Sequence, residues 1–339
     1  MYTTIDLFAG AGGLSIGLEQ SGFEHLLLNE IDADAVRTLN LNRPNWDVMF
    51  QDIKNINLLE YKYIPDLITG GVPCQPFSHA GKRLGLKDTR GTLFYEFARI
   101  LKDVQPKLFL LENVKGLLNQ DGGKTLETMI NVFEEIGFYV FPPKILKAIE
   151  HNVPQKRERL FLIGVRKDLY KGDNFPWPPS RGEEKTVRDA FYKGTLYETD
   201  VTDSKGQRYS KKKLKVMKKV PEGGNWRSLP VKTQKDYMLT TFYAKGGRTG
   251  IAKRLAFDEP SPTILCSPSQ KQTERCHPLE HRPISIRESA RLQTFPDNWR
   301  FTGSISSQYR QIGNAVPVNL AYDVGISLIH YLKIINKDN

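Results

Sequence analysis

Thr3-Thr4-Ile5-Asp6-Leu7-Phe8-Ala9-Gly10-Ala11-Gly12-Gly13-Leu14-Ser15-Ile16-Gly17-Leu18-Glu19-Gln20-Ser21-Gly22 lies almost at the start of the chain and decides how the rest is read. Thr3 to Phe8 is an apolar run of strand length, Gly10 to Gly13 make a tight loop, and Leu14 to Ser21 form a helix that Gly22 stops. The same alternation continues. A strand at Leu26 to Asn29 ends at Glu30, a helix covers Asp34 to Asn42, and strands fall near Val48 to Gln51 and at Asp66 to Thr69. A helix around Thr92 to Lys102 leads to a buried strand, Leu108 to Leu111, ending at Glu112. A helix from Gly123 to Ile136 and strands near Lys144 to Ile149 and Leu160 to Val165 follow. Strands alternating with helices predict an α/β fold, a doubly wound and mostly parallel sheet covered on both faces. Ligands of such sheets sit beyond the carboxyl ends of the strands, and Phe8, Glu30, Asp52, Cys74 and Glu112 are all expected at strand ends.

Pro73-Cys74-Gln75-Pro76-Phe77-Ser78 follows one of those strands, and Pro73 and Pro76 restrict the backbone on either side of the thiol. A thiolate held there, stabilised by nearby cations or backbone donors, would attack electron-poor carbon well. The three cysteines, Cys74, Cys266 and Cys276, are an odd number without a CxxC pair, which argues against a disulfide framework and against a zinc site built from cysteines. There is no run of 18 apolar residues and no basic-then-apolar leader, so a soluble cytoplasmic protein, without membrane or metal, is expected.

The 339 residues, 39% of them apolar, suffice for a full core and two domains. Residues 178–282 carry 22 Lys and Arg against 12 Asp and Glu, whereas the rest carries 27 against 26, so nearly all of the net charge of +11 sits in one segment. A basic excess of that size matches a polyphosphate partner. Phe175-Pro176-Trp177-Pro178-Pro179 is stiff, helix-incompatible and placed where the composition turns basic, which marks a domain boundary. Beyond it there is no clear period, only short strand-like runs at Tyr237 to Phe242 and Thr263 to Cys266. An apolar helix, Val318 to Ile334, closes the chain.

The Asp6 to Gly13 segment, Asn29-Glu30, Gln51-Asp52-Ile53, Pro73-Cys74-Gln75, Glu112-Asn113-Val114, Gln155-Lys156-Arg157-Glu158-Arg159 and Gln311-Ile312-Gly313-Asn314-Ala315-Val316-Pro317 stand in this order. With them the chain resembles the cytosine-C5 DNA methyltransferase family of bacterial restriction-modification systems. The glycine loop, with Glu30 twenty residues beyond Gly10, also resembles a dinucleotide fingerprint, but that pattern fails at Ser15, and hydride transfer has no use for the Pro-Cys-Gln segment. The resemblance implies an S-adenosylmethionine-dependent methyltransferase fold with S-adenosylhomocysteine as product. Gly10, Ala11, Gly12, Gly13 and Leu14 would pass the methionine part, Glu30 would accept from the ribose, and Asp52 and Ile53 would meet the adenine. Phe8 and Ile31 would flank the ring, and Pro73, Asn314 and Val316 would complete the pocket.

The resemblance also implies the chemistry. Cys74 would add to C6 of the cytosine, Glu112 would bind N3 and the exocyclic amine, and burial would favour a neutral acid there. Arg157 and Arg159, at alternate positions before an apolar strand, are expected to point the same way and hold the base O2. Lys82 and Arg83 fall in the segment that resembles the family's closing loop over a flipped base. Arg248, Thr249 and Thr263 are the expected sequence readers in a smaller, mostly irregular and β target-recognition domain, with Lys211 to Lys219 on phosphate. Domain limits are expected at 1–178, completed by 304–339, with 179–303 as recognition domain and hinge. The expected enzyme is a monomer on double-stranded DNA in a bacterial or archaeal cell, near the nucleoid. A tRNA cytosine-5 methyltransferase and a catalytically silent DNA-binding module are the alternatives. The first shares the core chemistry, and the second is disfavoured because every catalytic position is filled.

Overall fold

The computed structural model describes residues 1–72, 93–243 and 248–337. Among them the chain divides into two compact units, one of residues 1–147, 158–180 and 318–339, the other of residues 148–157 and 181–317.

The first unit is an eight-stranded sheet: β1 Tyr2–Leu7, β2 Phe23–Glu30, β3 Val48–Phe50, β4 Leu67–Gly70, β5 Leu108–Val114, β6 Phe138–Val140, β7 Lys144–Lys147 and β9 Glu158–Arg166. A two-residue strand of the second unit, Gln155–Lys156, takes the number β8. The order across the sheet is β3-β2-β1-β4-β5-β9-β6, with β7 also on β9. From β3 to β5 all neighbours are parallel, and β9 runs antiparallel to β5, β6 and β7. The order reverses between β1 and β4, which opens a crevice at their carboxyl ends. Helices α1 Gly13–Ser21, α2 Ala33–Asn42, α3 Leu93–Val104 and α4 Lys124–Glu135 connect the strands. β4 and the first six residues of β5 are entirely buried, as a sheet covered on both faces requires. Gly164 of β9 is there for space: a Cβ would meet the Phe109 ring at 2.1 Å.

The last helix of the chain, α10 Val318–Asn336, packs on α1. The two backbones nearly touch, since a Cβ on Gly17 would stand 2.6 Å from Tyr322 N and from Val318 O. The stretch Ile305–Asn336 is apolar and long enough by composition to cross a membrane, but 72% of that window is buried in the protein.

The second unit contains α5 Val187–Phe191, α6 Lys211–Met217, α7 Val231–Met238, α8 Ile286–Leu292 and α9 Ile305–Asn314. Its β content among the described residues is the parallel pair β8 and β10 (Ser261–Pro262) and two isolated bridges, less than the strand-like runs predict. Tyr237 to Phe242 is helical, not extended. Pro230 caps α7, its carbonyl accepting from Gln234 N at 3.0 Å; the helix ends at Met238, Leu239 turns at φ +54°, and Leu239–Phe242 makes a separate 3-10 turn. Met217, Val220, Trp226, Leu229, Met238, Ile251 and Cys276 form a small core. Beside it Arg254, 2% exposed, donates to the carbonyls of Met217, Val220, His277 and Glu280 at 2.8–2.9 Å.

The units differ from the expected limits at both ends of the insertion. The break lies after Ser180, residues 148–157 cluster with the second unit, and of the described residues from 304 onward only 318–337 cluster with the first. Pairing explains the first transfer: the chain leaves the ladder after β7, and β8 binds β10 before β9 re-enters the sheet.

Candidate active site

The carboxyl ends of β1, β2 and β3 carry the residues expected to hold the cofactor. Phe8 ends β1 at φ +62°, a left-handed conformation costly for an aromatic residue, and so turns the chain into the glycine loop. Gly10 and Gly12 also have positive φ, at +55° and +87°. A Cβ on Gly10 would meet nothing within 4 Å, so the loop borders open space, whereas Ala11, Gly12, Gly13 and Leu14 are buried. Gly12 caps α1 without a side-chain acceptor and no acid sits in the first turn, which leaves that helix start suited to an anionic group.

Glu30 anchors the loop: its Oε2 accepts from Gly10 N at 2.7 Å, and its Oε1 accepts from Ile31 N and Asp32 N at 2.8 and 2.7 Å. A carboxylate offers about four acceptor positions, so one remains for a hydroxyl. Ile31 is exposed, and so is Phe50, which stands opposite Glu30 in the β2–β3 register. Phe50 was not singled out from sequence; its signal is an aromatic residue directly before Gln51-Asp52. Asp52 caps the following turn through Lys54 N at 3.0 Å, and Ile53 places its side chain in the core. Under the loop, Asp6 accepts from Thr69 Oγ1 at 2.7 Å and from Ser15 Oγ, and His25 Nε2 donates to Ser15 O at 2.9 Å. Burial raises the Asp6 carboxyl above its ordinary range and holds His25 below its own. A carboxylate with one acceptor position to spare, exposed apolar side chains beside it and a loop of close backbone would suit a nucleoside cofactor.

Glu112 lies inside β5, opposite Phe161, and the strand runs two residues further than the sequence predicts. It is 8% exposed, and its Oε1 meets Arg159 Nε at 2.7 Å. A Cβ on Gly71 would be 3.5 Å from Glu112 Oε2, so the carboxylate borders the backbone that leaves β4 toward Cys74. Asn113 fixes that exit: its Nδ2 donates to Val72 O at 3.0 Å while its Oδ1 accepts from Val114 N at 2.8 Å. Pro73, Cys74, Lys82 and Arg83 lie outside the described residues.

The two arginines have different partners among the described residues. Arg157 falls between β8 and β9, is 1% exposed, and donates to Ile264 O, Gly313 O and Ala315 O at 3.1, 3.0 and 2.9 Å, all in the second unit. In the same unit Asn314 is exposed at the end of α9 and accepts from the Cys266 thiol at 3.2 Å, and Val316 is buried. Thr263 donates its hydroxyl to Lys156 O, 107 positions away, at 2.7 Å. Arg248 and Thr249 are exposed, with Arg248 Nη1 on Thr241 O at 3.0 Å and its own carbonyl on Trp226 Nε1 at 3.1 Å. Gly250 serves packing, because a Cβ would stand 2.6 Å from Gln272 O; Gly246 and Gly247 lie outside the described residues. Of the lysine run, Lys213 pairs with buried Glu274 at 2.7 Å, while Lys211, Lys212, Lys215, Lys218 and Lys219 are exposed.

The switch point of the sheet and the buried Glu112–Arg159 pair place the candidate residues of the first unit at the carboxyl ends of its strands. The chain matches the model of the C-5 cytosine-specific DNA methylase family over residues 2–330 and belongs to that family. It is 54% identical over 337 residues to the type II methyltransferase M.Eco47II of Escherichia coli, covering 99% of this chain and 81% of that protein. It is 50% identical over 340 residues to the type II methyltransferase M.Sau96I of Staphylococcus aureus, covering 99% and 77%. Among solved structures, S. pombe Dnmt2 methyltransferase superposes with a TM-score of 0.62 at 19% identity, covering 98% of this chain and 99% of that one, a likeness of fold. The protein is a DNA cytosine-C5 methyltransferase of the restriction-modification type.

Proposed function

We propose that the enzyme methylates C5 of a cytosine flipped out of a short duplex site, using S-adenosylmethionine bound at the β1–β3 edge, and so protects DNA from a cognate nuclease. The observation that carries the catalytic assignment is the buried Glu112–Arg159 pair beside Gly71, at the exit of the strand that leads into Pro73-Cys74. S-adenosylmethionine supplies an electrophilic methyl group on a sulfonium. The Cys74 thiolate adds to C6, which moves an electron pair to C5 and makes it nucleophilic. Glu112 hydrogen-bonds N3 and the exocyclic amine as charge builds on the ring, and Arg159 orients that carboxylate and lies within reach of O2. Transfer of that methyl group to C5 would release S-adenosylhomocysteine, and loss of the C5 proton to solvent water would then re-form the C5–C6 double bond and expel the Cys74 thiolate. Glu30 would hold the ribose, Phe8, Ile31 and Phe50 the adenine, and the start of α1 the methionine carboxylate.

Duplex DNA is favoured over RNA by the basic excess of residues 178–282. The test is trapping on a duplex carrying 5-fluorocytosine, beside labelled methyl transfer to DNA and to tRNA. Wild type is expected to form a covalent complex and to label DNA; Cys74→Ser is expected to bind the duplex, form no adduct and lose turnover. Substantial methylation by the serine variant would remove Cys74 as nucleophile, and preferential labelling of tRNA would replace the substrate.

A further inference from the structure

Asp6 is a buried acid, 1% exposed, that the proposed reaction does not use. Its Oδ2 accepts from the hydroxyl of Ser15, the third residue of α1, and its Oδ1 accepts at 2.7 Å from that of Thr69, which stands directly opposite it in the parallel β1–β4 ladder. Ser15 and Thr69 are themselves buried, and among the described residues no Lys or Arg pairs with the carboxyl group. A buried acid without a cation destabilises a fold unless hydrogen bonds offset its desolvation, so space filling does not account for Asp6. Each hydroxyl opens a different arm. Ser15 is also held by its carbonyl, which accepts from His25 Nε2 at 2.9 Å, so the first turn of α1 is fixed to both β1 and β2 and gives the glycine loop a rigid far end. Thr69 leads into Gly70 and Gly71. A Cβ on Gly70 would stand 2.8 Å from the Phe97 ring and one on Gly71 3.5 Å from Glu112 Oε2, so a shift of Thr69 along its strand would move backbone against the catalytic acid.

We infer that Asp6 is a positioning residue: one buried carboxyl group sets both the glycine loop that follows β1 and the end of β4 beside Glu112. Every group it ties belongs to the first unit. The consequence for catalysis rests on the proposed function, which gives the glycine loop to S-adenosylmethionine and Glu112 to the base. Asp6 touches neither and acts through Ser15 and Thr69.

The two arms can be cut separately. Ser15→Ala removes one hydroxyl, Thr69→Val removes the other at nearly constant volume, and each leaves Asp6 a partner. Calorimetric binding of S-adenosylhomocysteine to the free enzyme reads the loop. Release of tritium from unmethylated genomic DNA labelled at cytosine C5, with no methyl donor present, reads the β4 arm: thiolate addition at C6 lets C5 take a proton from water, and loss of the tritium to water then re-forms the double bond and expels the thiolate. Ser15→Ala is expected to weaken S-adenosylhomocysteine about 10-fold, the scale of one hydrogen bond to a charged group, and to leave tritium release within about 2-fold of wild type. Thr69→Val is expected to do the reverse, and Thr69→Ser, which keeps the hydroxyl, to restore release. Asp6→Asn, with one acceptor oxygen in place of two, is expected to lose both signals. Either signal at the wild-type level in Asp6→Asn, or both signals falling together in each single-hydroxyl variant in step with its stability in urea, would overturn the inference. Wild type that neither binds S-adenosylhomocysteine nor releases tritium would instead defeat the reading of the function beneath it.

Discussion

At the scale of single residues, Glu112 and Arg159 show what a motif conveys. Glu112-Asn113-Val114 is legible because an acid follows a run of apolar residues, and the structure buries that acid against Arg159 Nε at 2.7 Å. The division between Arg157 and Arg159 was not legible, because alternation assigns faces only within one continuous strand and the chain changes sheets between Lys156 and Glu158. Asn113 lies within the same motif, and nothing in one sequence says that its amide would bind a carbonyl 41 positions upstream. Glu112→Gln keeps shape and a donor but loses the titratable carboxyl. Single-turnover methyl transfer is expected to fall about 100-fold or more, the scale of general acid–base help. Turnover at the wild-type rate would move activation of N3 to another residue.

Elements were legible where their period was long. The sheet strands other than β6, and α1 through α4, came within a few residues, because buried strands and amphipathic helices carry their packing in their pattern. The second unit was not, because its order comes from side chains reaching distant carbonyls, as Arg254 does. His277 ties three elements: its ring stacks on Phe191 of α5 at 5.6 Å, its Nδ1 accepts from Glu280 N at 3.0 Å, and its Nε2 lies 3.8 Å from Glu288 of α8. Burial holds the imidazole below its ordinary value of 6.5, the nearby Glu288 only partly opposing this, and protonation at Nδ1 would displace a backbone donor. With the folded value depressed, the unfolded chain takes up the proton first, so His277 contributes stability above pH 6.5 that is lost as pH falls through the folded value. His277→Gln keeps an acceptor and cannot titrate. Denaturant midpoints are expected to fall less steeply for the variant than for wild type below about pH 6.5, and parallel curves would refute the role.

At the scale of the molecule, the location of charge was legible and its use only in part. Several cations of the basic segment serve the fold, Arg254 on carbonyls and Lys213 on Glu274 among them, which no count of charge reveals. The exposed Lys211 and Lys212 differ. Replacing both by Gln is expected to weaken cognate and scrambled duplexes alike and to flatten the salt slope by about one unit per lost phosphate contact, whereas Arg248→Ala is expected to cost about 1–3 kcal/mol on the cognate site alone. Equal losses on both duplexes for Arg248→Ala would make it a backbone contact. The seam between α1 and α10, where Gly17 leaves no room for a Cβ, also acts in time. A ribosome that has made residues 1–180 has released every strand of the sheet but not its last helix, which emerges only after the whole recognition unit, roughly 140 residues later. At roughly 5–20 residues per second the nascent sheet waits about 7 to 28 seconds with the α1 seam open, long enough for a chaperone to occupy it.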